Sequence, residues 1–162
     1  FRVRMTRVGD TFPTLEERVD YANSISNAIF ISIHYNSFRR TAAKGIETYA
    51  LSPQGTKSYN SRAKPGDRRE LAGNSRDSEN IALATAVHAH VLKATGAEDR
   101  GIKRERYTVL CGIEHPAILL EGGFLTNSTE AALIASSSYQ RKIATAAAQG
   151  IERYRNALRS RR

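Results

Sequence analysis

Two apolar runs that end in a polar residue dominate the hydrophobic pattern of this chain. In Ile29–Asn36, four large apolar residues and one serine precede His34, and in Ala117–Gly123 the apolar residues end at Glu121, just before two glycines. Short apolar runs of this kind predict buried strands. Because ligands of open α/β sheets bind outside the carboxyl ends of the strands, the histidine and the carboxylate could meet in one cleft. That pairing suggests metal-assisted hydrolysis.

Helical and strand-like periods alternate along the rest of the chain. A helix is predicted to begin at Thr14, which has capping-box spacing to Glu17. A strand is predicted over 45–51, and two longer amphipathic helices over 78–95 and 139–158. This alternation predicts an α/β fold with a mainly parallel sheet.

Shorter patterns predict three further elements. Phe1–Thr6 alternates apolar and polar residues and predicts a strand, which also argues against a secretory signal at this position. Tyr107–Leu110 predicts a short strand. Asn127 and Glu130 predict the start of a helix that continues through Ile134.

Composition and charge bound the classes of function. The chain has 162 residues, enough for one compact domain with a core, and no stretch approaches the ~20 apolar residues that cross a bilayer. The single cysteine, Cys111, excludes an internal disulfide framework and is interpreted as a small core residue. The net charge of +9 favours an anionic partner, namely nucleic acid, a membrane surface or an anionic cell wall, or else serves only solubility. No nucleic-acid-binding motif supports the first of these partners.

His34 and Glu121 are the candidates for chemistry. His34 is predicted to be a metal ligand, with a hydrogen-bonded histidine at the sheet rim as the alternative. Apolar surroundings are predicted to raise the pKa of Glu121 and to suit it as a general base. The alternative is a buried carboxylate that accepts hydrogen bonds from backbone amides of the following turn.

The other histidines are interpreted as structural. His88 and His90 lie about 160° apart on a helix, so they cannot easily hold one ion together. His115 is predicted to lie at the far end of the second strand from Glu121. The chain also has no Gly-x-Ser-x-Gly nucleophile motif and no phosphate-binding loop.

Several further blocks accompany the two apolar runs. They are Met5-Thr6-Arg7, Leu15-Glu16-Glu17-Arg18, Phe30–Asn36, Gly45-Ile46-Glu47-Thr48, Ser78-Glu79-Asn80, Asp99-Arg100-Gly101-Ile102-Lys103 and Pro116–Asn127. With these blocks the chain resembles, over nearly its whole length, the catalytic domain of zinc-dependent N-acetylmuramoyl-L-alanine amidases, which are bacterial cell-wall hydrolases. The resemblance implies a single α/β domain over 1–158, with helices on both faces of a twisted sheet and a basic tail at 159–162.

The resemblance also implies an activity and a site. The expected reaction is hydrolysis of the amide between N-acetylmuramic acid and L-alanine in peptidoglycan, outside the cytoplasm. Zinc is expected to be held by two histidines and a glutamate; His34 matches the second histidine and Glu121 the catalytic glutamate. Asn36 and Arg100 are candidate substrate contacts. Peptidoglycan is the expected partner, with an activator or targeting protein, and neither nucleic acid nor a membrane span is expected.

The chain departs from this family in its zinc ligands. The other two ligands belong to a strand and a helix that the family places before the position of Phe1. Three explanations are open: these elements precede Phe1 in a longer protein, a separate polypeptide supplies them, or a truncated form lacks them. We favour the first explanation. The alternative function is a catalytically inactive wall-binding or regulatory domain of the same fold, and a second alternative is a different zinc peptidase.

A long polar segment interrupts the pattern at 52–77. It contains two prolines, three glycines and many basic residues. Such a segment inside a compact domain is typical of a functional or a disordered loop. By analogy with relatives it is predicted either to occlude the site or to guide anionic glycan strands.

Overall fold

The computed structural model describes residues 1–59 and 68–160. These residues form a mixed sheet flanked by helices, and a short 3-10 helix at Ala72–Arg76 precedes the second α-helix. In chain order the elements are α1 (Leu15–Asn23), β1 (Phe30–Asn36), β2 (Ile46–Leu51), α2 (Asp77–Thr95), β3 (Asp99–Glu105), α3 (Thr108–Cys111), β4 (Ala117–Phe124), α4 (Ser128–Ile134) and α5 (Ser137–Arg159).

The four strands are arranged in the order β1-β4-β2-β3. β4 pairs in parallel with β1, and β2 pairs in parallel with β3, whereas β2 and β4 are antiparallel. The predicted α/β class with a mainly parallel sheet is therefore confirmed. The antiparallel pairing was not predicted, and it brings the amino end of β2 to the same edge as the carboxyl ends of β1 and β4.

Each face of the sheet carries its own apolar cluster, which confirms the prediction of helices on both faces. On one face α2, α4 and α5 pack on the sheet through residues such as Leu83, Ile118 and Ile143. On the other face α1 and α3 pack on it through residues such as Ala22 and Leu119. Full burial of one large apolar side chain stabilises the fold by about 1.5–3 kcal/mol, so the two clusters hold the strand ends that carry the site.

The helix starts follow the signals in the sequence. The Thr14 hydroxyl accepts a hydrogen bond from the Glu17 amide (3.1 Å), and the Glu17 carboxylate accepts one from the Thr14 amide (2.7 Å). This reciprocal pair is the predicted capping box at α1. The Asn127 side chain accepts a hydrogen bond from the Glu130 amide and begins α4 as predicted.

The prediction of a strand at Phe1–Thr6 is wrong. The structure shows no regular secondary structure there, and Phe1, Val3 and Met5 are exposed. Alternation of apolar and polar residues makes a strand only where a neighbouring backbone completes the hydrogen-bond ladder. Within the described parts of the chain, no strand pairs with Phe1–Thr6.

The prediction of a strand at Tyr107–Leu110 is also wrong, because these residues lie almost entirely in α3. The strand of this region is β3, which directly precedes it. β3 has the sequence Asp-Arg-Gly-Ile-Lys-Arg-Glu, which shows no apolar alternation. Its Lys103 and Glu105 are buried, and both form hydrogen bonds there. Hydrophobic periodicity cannot detect a strand whose buried residues are polar.

The polar segment 52–77 is described only in part, since residues 60–67 lie outside the described residues. Its two described ends are attached to the domain. The Gln54 side chain donates to the Arg68 carbonyl (2.9 Å), and the Asn74 side chain donates to the Ser52 carbonyl (2.9 Å). The roles expected for this segment, to occlude the site or to guide glycan strands, stay predictions.

Candidate active site

The two residues predicted to carry chemistry lie side by side. His34 of β1 and Glu121 of β4 are register partners across a parallel pairing, and Glu121 is the register partner of Glu47 in β2. Because register partners project to the same face of a sheet, all three side chains lie on the face covered by α1 and α3. The site is therefore a row across three neighbouring strands.

Glu121 is a buried carboxylate with a perturbed pKa. Only 8% of the residue is exposed, and its Oε2 atom is buried without a hydrogen-bond partner among the described residues. Burial, and secondarily the negative charge of Glu47, raise the pKa of Glu121 to about 7. The prediction of a raised pKa is thus confirmed. A carboxyl group that titrates near neutral pH can both accept and return a proton.

The alternative interpretation of Glu121, a carboxylate that accepts backbone amides of the turn, applies to another residue. The buried Glu130 accepts hydrogen bonds from the backbone amides of Phe124 (2.7 Å) and Gly45 (2.9 Å). Glu130 therefore holds the end of β4 and the start of β2, and this leaves the carboxylate of Glu121 available for chemistry.

The glycines after Glu121 serve close packing. A Cβ atom at Gly122 would lie 2.8 Å from a methyl carbon of Ile143 and 2.9 Å from the ring of Tyr35. Gly123 has a φ of +131°, a backbone conformation that residues other than glycine rarely adopt. The two glycines let the end of β4 pack closely against Tyr35, Ile143 and Glu130. This close packing fixes the position of the neighbouring Glu121.

His34 is exposed at the carboxyl end of β1. Its Nε2 atom lies 3.0 Å from the hydroxyl oxygen of Ser32. Partial desolvation, and secondarily the positive charge of Arg18, lower the pKa of His34. A lowered pKa keeps the imidazole neutral at neutral pH, the form in which a ring nitrogen can bind a metal. The role of His34 as a ligand stays a prediction.

Glu47 is the site residue that the sequence analysis did not select. It is only 2% exposed and accepts four side-chain hydrogen bonds. Its Oε1 atom accepts from Arg100 Nε and Lys103 Nζ, both at 2.6 Å. Its Oε2 atom accepts from Tyr49 Oη (2.5 Å) and Asn36 Nδ2 (3.0 Å). Both predicted substrate contacts, Asn36 and Arg100, are therefore anchored on this one carboxylate.

The charge state of Glu47 differs from that of Glu121. Burial opposes ionisation of Glu47, but hydrogen bonds from Lys103, Tyr49 and Arg100 outweigh it and lower the pKa. Burial and the neighbouring carboxylate raise the pKa of Tyr49, which stays protonated and donates. Glu47 is therefore an ionised carboxylate with two cationic partners.

The direction of β2 explains why Glu47 was missed. A search for polar residues at the carboxyl ends of strands selects His34 and Glu121, but Glu47 lies at the amino end of its strand. Because β2 is antiparallel to β4, that amino end lies at the edge that carries the site. The usable signal was a glutamate inside an otherwise apolar strand, since such a carboxylate needs a charged partner.

The other singled-out residues lie outside this row. The buried His88 makes hydrogen-bond contacts with Thr48 and Asp99, both at 2.9 Å, and His90 contacts the Ala86 carbonyl, as expected of structural histidines. Cys111 is half-buried beside the apolar cluster under α1 and α3, as predicted for a small core residue.

The described residues do not by themselves fit a zinc centre. A protein zinc site uses at least three side-chain ligands. Within 1–59 and 68–160, no group of three histidine, cysteine, aspartate or glutamate side chains is arranged to hold a metal ion. His34 offers one imidazole, and Glu47 is already saturated by four donors, so a zinc centre that contains His34 would need ligands from outside the described residues.

Comparisons with known proteins assign the chain to a family. The family model described as N-acetylmuramoyl-L-alanine amidase matches residues 1–153. The chain belongs to this family. The curated relatives include the uncharacterised protein YqiI of Bacillus subtilis, 34% identical over 149 residues. They also include N-acetylmuramoyl-L-alanine amidase AmiA of Salmonella typhimurium, 30% identical over 173 residues.

A solved structure of the amidase family has the same fold. The catalytic domain of CwlV, an N-acetylmuramoyl-L-alanine amidase from Bacillus (Paenibacillus) polymyxa, superposes with a TM-score of 0.77 at 32% identity, over 96% of this chain and 73% of that domain. Of the curated relatives, YqiI is matched over 62% of its length by 92% of this chain, and AmiA over 60% by 93%. The chain therefore spans about three fifths of these relatives.

Proposed function

We propose that this chain is the catalytic part of an N-acetylmuramoyl-L-alanine amidase, which hydrolyses the amide between N-acetylmuramic acid and L-alanine in peptidoglycan. The observation that supports this most is Glu121, a buried carboxylate whose Oε2 atom has no hydrogen-bond partner in the described part of the chain and whose pKa is about 7. It stands beside an exposed histidine at the carboxyl ends of two parallel strands, in a chain that belongs to the amidase family.

Glu121 then acts as the general base and general acid. Its free oxygen accepts a proton from the attacking water, and the water oxygen adds to the carbonyl carbon of the scissile amide. The same carboxyl group next gives the proton to the leaving nitrogen of L-alanine, and the C–N bond breaks. A pKa near the working pH suits both transfers, and positioned acid–base catalysis of this kind contributes about 10²- to 10⁴-fold to the rate.

Arg100 and Asn36 are proposed to contact the substrate. Their attachment to Glu47 fixes both side chains beside the row. The Arg100 side chain keeps 29% of its surface exposed, so its guanidinium can face a carboxylate of the stem peptide. The net charge of +9 agrees with an anionic polymer as substrate. With peptidoglycan as the substrate, the proposed location is outside the cytoplasm. No helix in the described residues is both long and apolar enough to cross a membrane.

We also propose that the activity depends on zinc, with His34 as one ligand. A bound zinc ion would supply Lewis-acid polarisation of the scissile carbonyl. The remaining ligands would have to come from outside the described residues, because no three candidate side chains converge within them. The same observation favours a second candidate function, a wall-binding or regulatory domain that keeps the fold without catalysis.

Zinc analysis and product analysis separate the two candidates. The protein is incubated with purified peptidoglycan with and without added zinc, and the soluble products are identified by mass spectrometry and N-terminal analysis. The amidase releases stem peptides that begin with a free L-alanine amine, and Glu121→Gln reduces their release by about 10²- to 10⁴-fold. Binding to peptidoglycan without release of stem peptides, at any zinc concentration, would establish the wall-binding function instead.

A further inference from the structure

Two carboxylates and two cations belong to one cluster of side chains at the row. Glu47 and Glu121 are register partners on the antiparallel strands β2 and β4. The cations are Lys103 and Arg100 of β3, which lies on the other side of β2. The cluster therefore contains cations that could pair with Glu121, and such a pair would take from Glu121 the free carboxylate that a general base needs.

Both cations bind the same carboxylate. Lys103 Nζ and Arg100 Nε each lie 2.6 Å from Oε1 of Glu47. Oε2 of Glu121 has no hydrogen-bond partner within residues 1–59 and 68–160, although Glu121 is buried. Both cations thus pair with the carboxylate that does no proton transfer in the proposed mechanism, and Arg100 also lies 3.9 Å from Glu98.

Lys103 is the cation that would move to Glu121. Its side chain is only 8% exposed, whereas Arg100 retains 29% exposure and can turn towards solvent. A buried ammonium group without a partner is strongly unfavourable, so Lys103 must pair with some carboxylate. Lys103 Nζ already lies 2.6 Å from Oε1 of Glu47, and Glu47 and Glu121 project from directly opposed positions to the same face of the sheet. A rotation of the lysine side chain past Glu47 would therefore bring Nζ towards Glu121.

We propose that Glu47 is a positioning residue that holds Lys103 away from Glu121, so that the Glu121 carboxylate stays unpaired. This rests on the proposed function of Glu121 as the base. An ion pair with Lys103 would occupy the oxygen that accepts the water proton. It would also stabilise the ionised carboxylate and weaken it as a base.

Glu47→Gln tests this directly, because glutamine has nearly the same shape but no charge to hold Lys103. In crystal structures of the wild type and of this variant, Lys103 Nζ is expected to move from position 47 to within about 3 Å of the Glu121 carboxylate. On peptidoglycan, kcat is expected to fall at least tenfold, and KM is expected to rise as well, because Asn36 and Arg100 lose the charge that anchors them. Glu47→Asp keeps the charge and should retain more activity than Glu47→Gln.

The double variant E47Q/K103M supplies the decisive comparison. It removes the displaced cation together with its former partner, so kcat is expected to recover at least several-fold over Glu47→Gln alone. The matched control is Glu130→Gln, another buried glutamate, whose hydrogen-bond donors among the described residues are the backbone amides of Gly45 and Phe124. It should lower the melting temperature, and adding Lys103→Met to it should restore nothing.

Two results would overturn the proposal. One is a Glu47→Gln structure in which Lys103 stays away from Glu121, and the other is a double variant no more active than Glu47→Gln. Should Glu47→Gln not fold, Glu47→Ala with and without Lys103→Met provides the same comparison, because alanine also removes the charge that holds Lys103. The crystal structures test the movement of Lys103 independently of turnover. A wild-type chain without amidase activity would therefore refute the proposed function, and the position of Lys103 in Glu47→Gln could still be determined.

Discussion

Replacing Glu121 by Gln should remove activity and, above neutral pH, stabilise the fold. The pKa of Glu121 is raised from 4.5 to about 7, chiefly by burial. Between these two values the folded protein binds a proton that the unfolded chain has released. Stability therefore falls as pH rises through this window, and the full penalty is present above the folded pKa. Glutamine has no such penalty because it does not ionise.

The size of the effect follows from the two pKa values. With 4.5 for the unfolded state and about 7 for the folded state, the free energy of unfolding of the wild type should fall by about 2.5 kcal/mol between pH 5 and pH 8 on account of this one group. Groups common to wild type and variant cancel in the comparison. Glu47 contributes little change in this range, because its lowered pKa keeps it ionised throughout.

Urea unfolding at pH 5, 6, 7 and 8 measures this difference. Wild type and Glu121→Gln are compared in buffers with a metal chelator, because a bound metal would stabilise the folded state by mass action. The free energy of unfolding of Glu121→Gln, relative to that of the wild type, is expected to rise with each step in pH, most steeply between pH 5 and 7. If the difference between the two proteins were the same at pH 5 and pH 8, the pKa of Glu121 would not be raised, and the argument for it as the base would fail.

Two further predictions concern local parts of the chain. Thr14→Ala should lower the free energy of unfolding by about 1 kcal/mol, because it removes the hydroxyl that caps α1; urea unfolding measures it, and an unchanged stability of Thr14→Ser confirms that the hydroxyl is responsible. His34→Ala should reduce zinc bound by the protein, as measured by metal analysis after dialysis, because it removes an exposed neutral imidazole from the row. His90→Ala is its control, since His90 contacts a helix carbonyl away from the site, and equal zinc content in both variants would exclude His34 as a ligand.

Local signals predicted most of the architecture. Apolar runs located β1, β2 and β4, and cap residues located α1 and α4, because these patterns depend on neighbours a few residues away. The family resemblance added the helices on both faces. Phe1–Thr6 failed as a strand because alternation says nothing about a pairing partner. β3 was missed because its Lys103 is buried by an ion pair with Glu47, 56 residues distant in the sequence.

The sequence predicted only part of the site, because local patterns do not reveal which strands pair or in which direction. His34 and Glu121 each end an apolar strand, so the sequence identified both, and the parallel pairing of β1 with β4 places them together. Asn36 and Arg100 were also singled out, but their common anchor was not. No local pattern announces that the amino end of β2 lies beside the carboxyl end of β4, because that depends on strand direction.

The antiparallel pairing of β2 with β4 gives the row its chemistry. Glu47 and Glu121 are the same residue type on neighbouring strands, yet the pKa of one is lowered and that of the other is raised. Burial acts on both, so the difference lies in the hydrogen bonds that Glu47 accepts from Lys103, Tyr49 and Arg100. Pairs of titratable groups whose surroundings push their pKa values apart identify acid–base roles. Because only an antiparallel β2 sets Glu47 directly opposite Glu121, the strand direction that the sequence did not reveal is also what separates a cation-holding carboxylate from a free one.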